Sequence, residues 1–205
     1  MKKIVLLIIV LCCMPLYAQE ATVTTERKAD AKPKIKKVKT KGEELAAHSF
    51  TDITTHVSLL KDIPAGKLQS VTFYFNSGLI NLSKKNFDID YQDTTLALVI
   101  YEVGADGKPG NVVGDKQLQF VVAKDHKGAL EVDVSALHIP SLPQLFIGLT
   151  AVNEQNGNHV VLKTRADKDA VSYVIKKGST AWKEYNDGSG EKFAVNMALE
   201  VSNFK

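Results

Sequence analysis

The apolar residues of this chain come in short runs, and most of the runs alternate with polar residues at a period of two. Val71, Phe73 and Phe75 share one side of an extended segment, with Thr72, Tyr74 and Asn76 on the other. Phe87, Ile89 and Tyr91 alternate with Asp88, Asp90 and Gln92, and Leu130, Val132 and Val134 with Glu131 and Asp133. At the C-terminal end Phe193, Val195, Met197, Leu199 and Val201 alternate with Ala194, Asn196, Ala198 and Glu200. Such alternation puts one face of a strand in a core and the other in water. Two runs are apolar almost throughout, Leu96–Val103 and Gln144–Val152. They predict strands covered on both faces, in the middle of a sheet. Gly148, inside the second, leaves room there for a neighbour's side chain.

The segments between these runs are turn-forming. Ile63-Pro64-Ala65-Gly66-Lys67, the cluster Gly104–Asn111, Asp125-His126-Lys127-Gly128 and Asn186–Gly190 each carry the Gly, Pro, Asn or Asp that tight turns use. Further strands are expected over Phe50–Leu60, Leu68–Phe75, Lys116–Val122, His159–Thr164, Ala170–Ile175 and Trp182–Tyr185. Glu43–His48 reads as a turn or brief helix. Pro140 and Pro143 break a crossing segment from Ser135 to Pro143. The pattern predicts an all-β domain of about nine or ten antiparallel strands, a β-sandwich of jelly-roll type.

The N-terminus changes the picture of compartment. Residues 1–18 have the form of an export signal: Lys2 and Lys3, an apolar stretch from Ile4 to Met14, and Ala18 at the expected cleavage point. Leu11 and Cys12 precede the two cysteines where a lipidation motif needs a small residue, so release rather than lipid anchoring is expected. Cys12 and Cys13 are the chain's two cysteines. The exported chain would then have no disulfide and no thiol nucleophile, and would depend on burial for stability. No second hydrophobic stretch has spanning length, so no transmembrane segment is expected in the processed chain.

Charge divides the chain. From Gln19 to Lys41 there are eight basic residues, Arg27, Lys28, Lys32, Lys34, Lys36, Lys37, Lys39 and Lys41, against Glu20, Glu26 and Asp30. The expected organisation is a signal over 1–18, a basic polar linker over 19–42 and a mildly acidic domain over 43–205. Ile35 and Val38 allow a short strand near the end of the linker. The basic arm 27–41 is either a solvated spacer or a contact for anionic lipid or acidic polysaccharide. Nucleic acid is not an expected partner of an exported chain.

The succession VTFYF, LALVIYEVGADGKPGN, LEVDVSALHI, LFIGL and AWKEY resembles a family of β-sandwich domains in exported Gram-negative bacterial proteins, often found behind carboxypeptidase regulatory-like domains. The resemblance runs from Leu68 to Val201. It implies a sandwich fold and a periplasmic, outer-membrane-associated or secreted setting, and it transfers no catalytic residue. GALEVDV lacks the aromatic residue that the family often carries after that glycine.

Candidate chemistry is sparse. His48, His56, His126, His138 and His159 show no helical metal-site spacing, and Gly188-Ser189-Gly190 is not a nucleophile elbow. Asp88 and Asp90 satisfy only the spacing of a glycosidase pair. No cofactor is expected. Calcium is the ion to consider, at Asp187 and Glu191 with Asn186, or at Asp167 and Asp169. The most specific candidate is aromatic. Trp182, the chain's one tryptophan, stands near Tyr173 and Tyr185, with Asn186 and Asp187 able to bond sugar hydroxyls. The competing expectation is that Trp182 plugs one end of the core. The functional reading is a non-enzymatic binding or structural module of the cell envelope, with an envelope glycan or protein as partner. Its alternatives are a carbohydrate-binding module and a hydrolase with a dispersed site.

Overall fold

A computed structural model describes residues 34–76, 92–152, 160–186 and 190–203. The described residues form strands and loops without a helix. The strands are β1 (Lys34–Lys39), β2 (Glu43–Ser49), β3 (Ile53–Leu60), β4 (Lys67–Asn76), β5 (Thr94–Val103), β6 (Pro109–Val112) and β7 (Gln119–Val122). They continue with β8 (Gly128–Asp133), β9 (Leu145–Ala151), β10 (Val161–Ala166), β11 (Ser172–Lys176), β12 (Lys183–Glu184), β13 (Phe193–Val195) and β14 (Met197–Asn203). The alternating segment 87–91, His159 and Asp187 lie outside the described residues.

All pairing is antiparallel, in two sheets. The first runs β1-β14-β4-β10-β13, with β8 on β4 and β2 on β10. The second runs β12-β11-β3-β9-β5-β6, with β7 also on β5. Their inner faces share one core. Val71, Phe73 and Phe75 of β4 and Met197, Leu199 and Val201 of β14 meet Leu96, Leu98 and Ile100 of β5 and Leu145, Ile147 and Leu149 of β9. Burial of these side chains, each contributing about 1.5–3 kcal/mol, holds the two sheets together. The alternation read from Leu68–Phe75 is therefore the division between core and surface, and all of Val71, Phe73 and Phe75 are fully enclosed.

The apolar run of β5 is covered on both sides as its composition requires. Its inner residues belong to the shared core, while Val99, Tyr101 and Val103 join Val57, Leu59, Phe146, Val171, Tyr173 and Trp182 in a separate cluster on the outer face of the second sheet. The outer face of the first sheet is polar, with a Lys37–Glu200 ion pair at 2.6 Å.

Five details differ from the sequence-based expectation. Glu43–Ser49 is a strand rather than a turn or helix: its Ala, Leu and Glu favour a helix locally, but pairing with β10 supplies the hydrogen bonds that decide the matter. Residues 34–39 of the expected 19–42 linker are sheet, since β1 pairs with β14 and Val38 packs on the core. The 104–111 cluster is part turn and part strand, because β6 begins at Pro109. The alternating run 193–201 is two strands, and Asn196 is the corner between them. Asn196 donates its amide to the Lys163 carbonyl and its side-chain amide to Glu44, and its own carbonyl accepts from Tyr74. Gly148 admits a backbone rather than a side chain: a Cβ there would meet the His56 carbonyl and the Val57 Cα.

Candidate functional site

Trp182 precedes the two-residue strand β12, at the edge of the second sheet, and Tyr185 follows it. In an extended segment, residues three apart face opposite ways. Trp182 accordingly lies on the outer face, half-buried, with its ring edge-to-face on Tyr101 at 5.3 Å and 86°. Tyr173 is on the same face, paired in register with Val57 and edge-to-face with Phe146 at 5.6 Å. Tyr185 turns inward, where its ring centre is 4.6 Å from that of His56, 5.7 Å from that of His48 and 6.4 Å from that of Phe193.

The expected platform of Tyr173, Trp182 and Tyr185 is thus divided by the sheet. Tyr173 and Trp182 stay together, and Tyr101 takes the place expected of Tyr185. Trp182 is not a plug between the sheets; it covers the outer cluster. Asn186 is exposed and bridges to Lys192 through the backbone. Asp187 lies outside the described residues, and Glu191 is exposed. Asp167 accepts the Asp169 amide at 2.9 Å, an ordinary turn bond, and the described residues hold no group of three acidic or histidine ligands placed for a metal.

The outer face continues beyond the aromatic rings. Tyr101 pairs with Val112 of β6 and Thr95 with Val121 of β7, so both valines stand on that face, 67% and 61% exposed. Thr55 and Thr150 share a 2.8 Å hydroxyl bond on its far side. The side chains that β3, β5, β9 and β11 send to this face from Thr55 to Leu59, Ala97 to Val103, Phe146 to Thr150 and Val171 to Tyr173 are uncharged. Burial raises the Tyr101 phenol above its ordinary range, which keeps it neutral and able to donate.

The inner side of the same edge holds a polar seam that the sequence pattern did not single out. The Val195 amide donates to Ser58 Oγ at 2.8 Å, and Ser58 and Ser172 share a hydroxyl bond at 2.7 Å. These bonds tie β13 to β3 and β11 across the gap between the sheets. Beside them His48 Nε2 meets His56 Nδ1 at 2.5 Å, one ring from β2 and one from β3. His48 Nδ1 donates to the Ser49 carbonyl at 3.1 Å. His56 is 0% exposed, and its Nε2 has no hydrogen-bond partner among the described residues. Burial pushes the His48 imidazole down to about 4 and lowers His56 well below the ordinary range, with the neighbouring His48 adding to the effect. Both rings are therefore neutral at pH 7. The signal in sequence was parity alone: His56 falls in step with Leu60, an inward position of β3.

No protein-family model and no curated protein matches the chain. Among solved structures the fold is similar to that of a clostridial cysteine protease, Cwp84, after propeptide cleavage. The TM-score is 0.52 at 16% identity, over 82% of this chain and 40% of that one. The chain thus spans well under half of that protein's length, and the likeness is one of fold. Residues 14–205 contain no cysteine, so they hold no thiol nucleophile.

Proposed function

We propose that this chain is an exported, non-enzymatic binding module of the bacterial cell envelope, a jelly-roll-like β-sandwich, whose ligand is an uncharged glycan lying on the outer face of the second sheet. The observation that supports this reading is the placement of Tyr101, Tyr173 and Trp182 on one face to which the central strands send no charged side chain, each half-buried and fixed from below by Val57, Val99 and Phe146; the charge beside it is Glu184, opposite Tyr173 at the sheet edge and ion-paired with Lys192. Rigid aromatic rings present apolar area at small entropic cost, and sugar C–H faces stack on them. A charged polymer would want cationic partners that this face does not supply from its central strands. Membership of the exported Gram-negative sandwich family is part of the same reading.

Among the described residues the hydrolase alternative draws no support from a particular group. The histidines that come together, His48 and His56, are spent on each other and on packing, with His56 closed to a substrate.

A glycan array probed with the purified chain tests the proposal. Retention of a subset of neutral glycans, recovered at unchanged length, is the expected result. Shortened glycans would establish a hydrolase, and failure to retain any would contradict glycan binding.

A further inference from the structure

We propose that the His48–His56 pair is a proton-operated latch: neutral, it ties the β2 edge and the Trp182–Tyr185 segment to the domain, and on taking up a proton it releases both.

The pair joins two strands that belong to different sheets and do not pair with each other. His48 is on β2, whose backbone pairs with the first sheet through β10. His56 is on β3 of the second sheet, so the contact between the rings crosses from sheet to sheet. Tyr185 packs on both rings from the end of β12, a two-residue strand at the sheet edge. Trp182, at the other end of β12, lies on the opposite face. The same short segment is therefore bolted on both sides, inside by the histidines and outside by Tyr101.

Proton counting shows why the neutral state is required. A carbonyl only accepts, so His48 Nδ1 carries the hydrogen that goes to Ser49. His48 Nε2 is then an acceptor, and His56 Nδ1 donates to it. Each ring has used its one hydrogen. An additional proton has two places to go. On His48 Nε2 it would confront the His56 N–H and break the bond between the rings. On His56 Nε2 it would be a buried donor without an acceptor among the described residues. Either outcome leaves an uncompensated charge between the sheets.

Among the described residues no carboxylate contacts the pair to relieve this. On β2, Glu44 is engaged with Lys163 and Asn196. The β3 neighbours of His56 on the inner side are Thr54 and Ser58, and its cross-strand partners are Leu149 of β9 and Val174 of β11. Phe50 and Phe193 close the surroundings. The titratable groups touching the pair, among the described residues, are the two imidazoles and the Tyr185 phenol. The latch stands whether or not the outer face binds a glycan.

The single tryptophan makes the test direct. Emission of Trp182 and amide exchange are followed in the full chain from pH 7.5 to pH 4, with the histidine resonances titrated in parallel. The latch predicts imidazoles that stay neutral through pH 6, then a reversible red shift of Trp182 centred below pH 6, toward the value of about 4 at which His48 takes up its proton. Protection of β2 amides should fall about tenfold or more while β5 and β9 keep theirs. His48→Leu/His56→Leu, which replaces both partners by apolar groups, should lose the response. His126→Gln and His138→Gln should keep it. Titration of the pair near 6.5, an unmoved Trp182 once the pair is charged, or an acid response surviving in the double variant would each overturn the latch. If the double variant does not fold, the wild-type titration decides by itself.

Discussion

Trp182 and Tyr185 stand on opposite faces of one sheet edge, the first against Tyr101 and the second against His56. This relationship separates two roles that proximity in sequence had merged. The outer residue belongs to the proposed binding face. The inner one belongs to the seam that holds the sheets together.

Trp182→Ala should therefore cost less than loss of a core aromatic. The ring is half-buried over a satellite cluster, and its removal is expected to lower stability by about 1–3 kcal/mol. Urea unfolding followed by circular dichroism measures this. A loss on the order of 5 kcal/mol would put the ring in the main core instead.

Gly148→Ala should be more damaging than any single change on the outer face. The new Cβ would fall 2.7 Å from Val57 Cα and closer still to the His56 carbonyl, both backbone atoms of the neighbouring strand. The β3–β9 pairing would have to open. A cost of about 3 kcal/mol or more is expected, read as a drop in the urea midpoint. A neutral substitution would show that β3 is not held as closely as described.

Ser58→Ala removes the acceptor of the buried Val195 amide and the partner of Ser172. The expected loss is about 1–3 kcal/mol, with faster exchange of the Val195 amide than of its β13 neighbours. Unaltered exchange at Val195 would mean that the bond across the sheets contributes nothing.

Stability should also depend on pH in a definite direction. The folded-state pKa of His48 is about 4 and that of His56 is lowered as well, both below the value near 6.5 of an unfolded histidine. Below pH 6.5 the unfolded chain binds protons that the folded chain refuses, so stability falls as pH drops toward 4 and is fully present above 6.5. For His48 the expected loss is on the order of 3 kcal/mol. Urea midpoints at pH 7.5, 5.5 and 4.5 should decline in that order. A midpoint that holds across this range would contradict the buried neutral pair.

The parts of the fold legible in the sequence are those where side-chain pattern and environment coincide. β5 contains the whole of the apolar run Leu96–Val103, and β4 has the faces that its alternation suggests. β2 was hidden because Glu43–Ser49 has helical composition and becomes a strand through partners more than a hundred residues away. The corner at Asn196 was hidden because burial continues on both sides of it, so the pattern gives no sign of the change of partner. For the site, the aromatic group Tyr173 and Trp182 was legible, and strict attention to parity would have removed Tyr185. Tyr101 and the His48–His56 pair were not legible, since they meet Trp182 and each other only through sheet order and sheet packing.

The central claim, that the outer face around Trp182 binds glycan, is tested most directly by titrating neutral envelope polysaccharide into the chain and following Trp182 emission at pH 7.5. The account predicts a saturable change in wild type. It predicts affinity weakened about five- to thirtyfold in Tyr101→Ala and Tyr173→Ala variants that remain folded, the loss of about 1–2 kcal/mol of stacking from each. Emission that does not respond to the polysaccharide, or wild-type affinity in both variants, would contradict it.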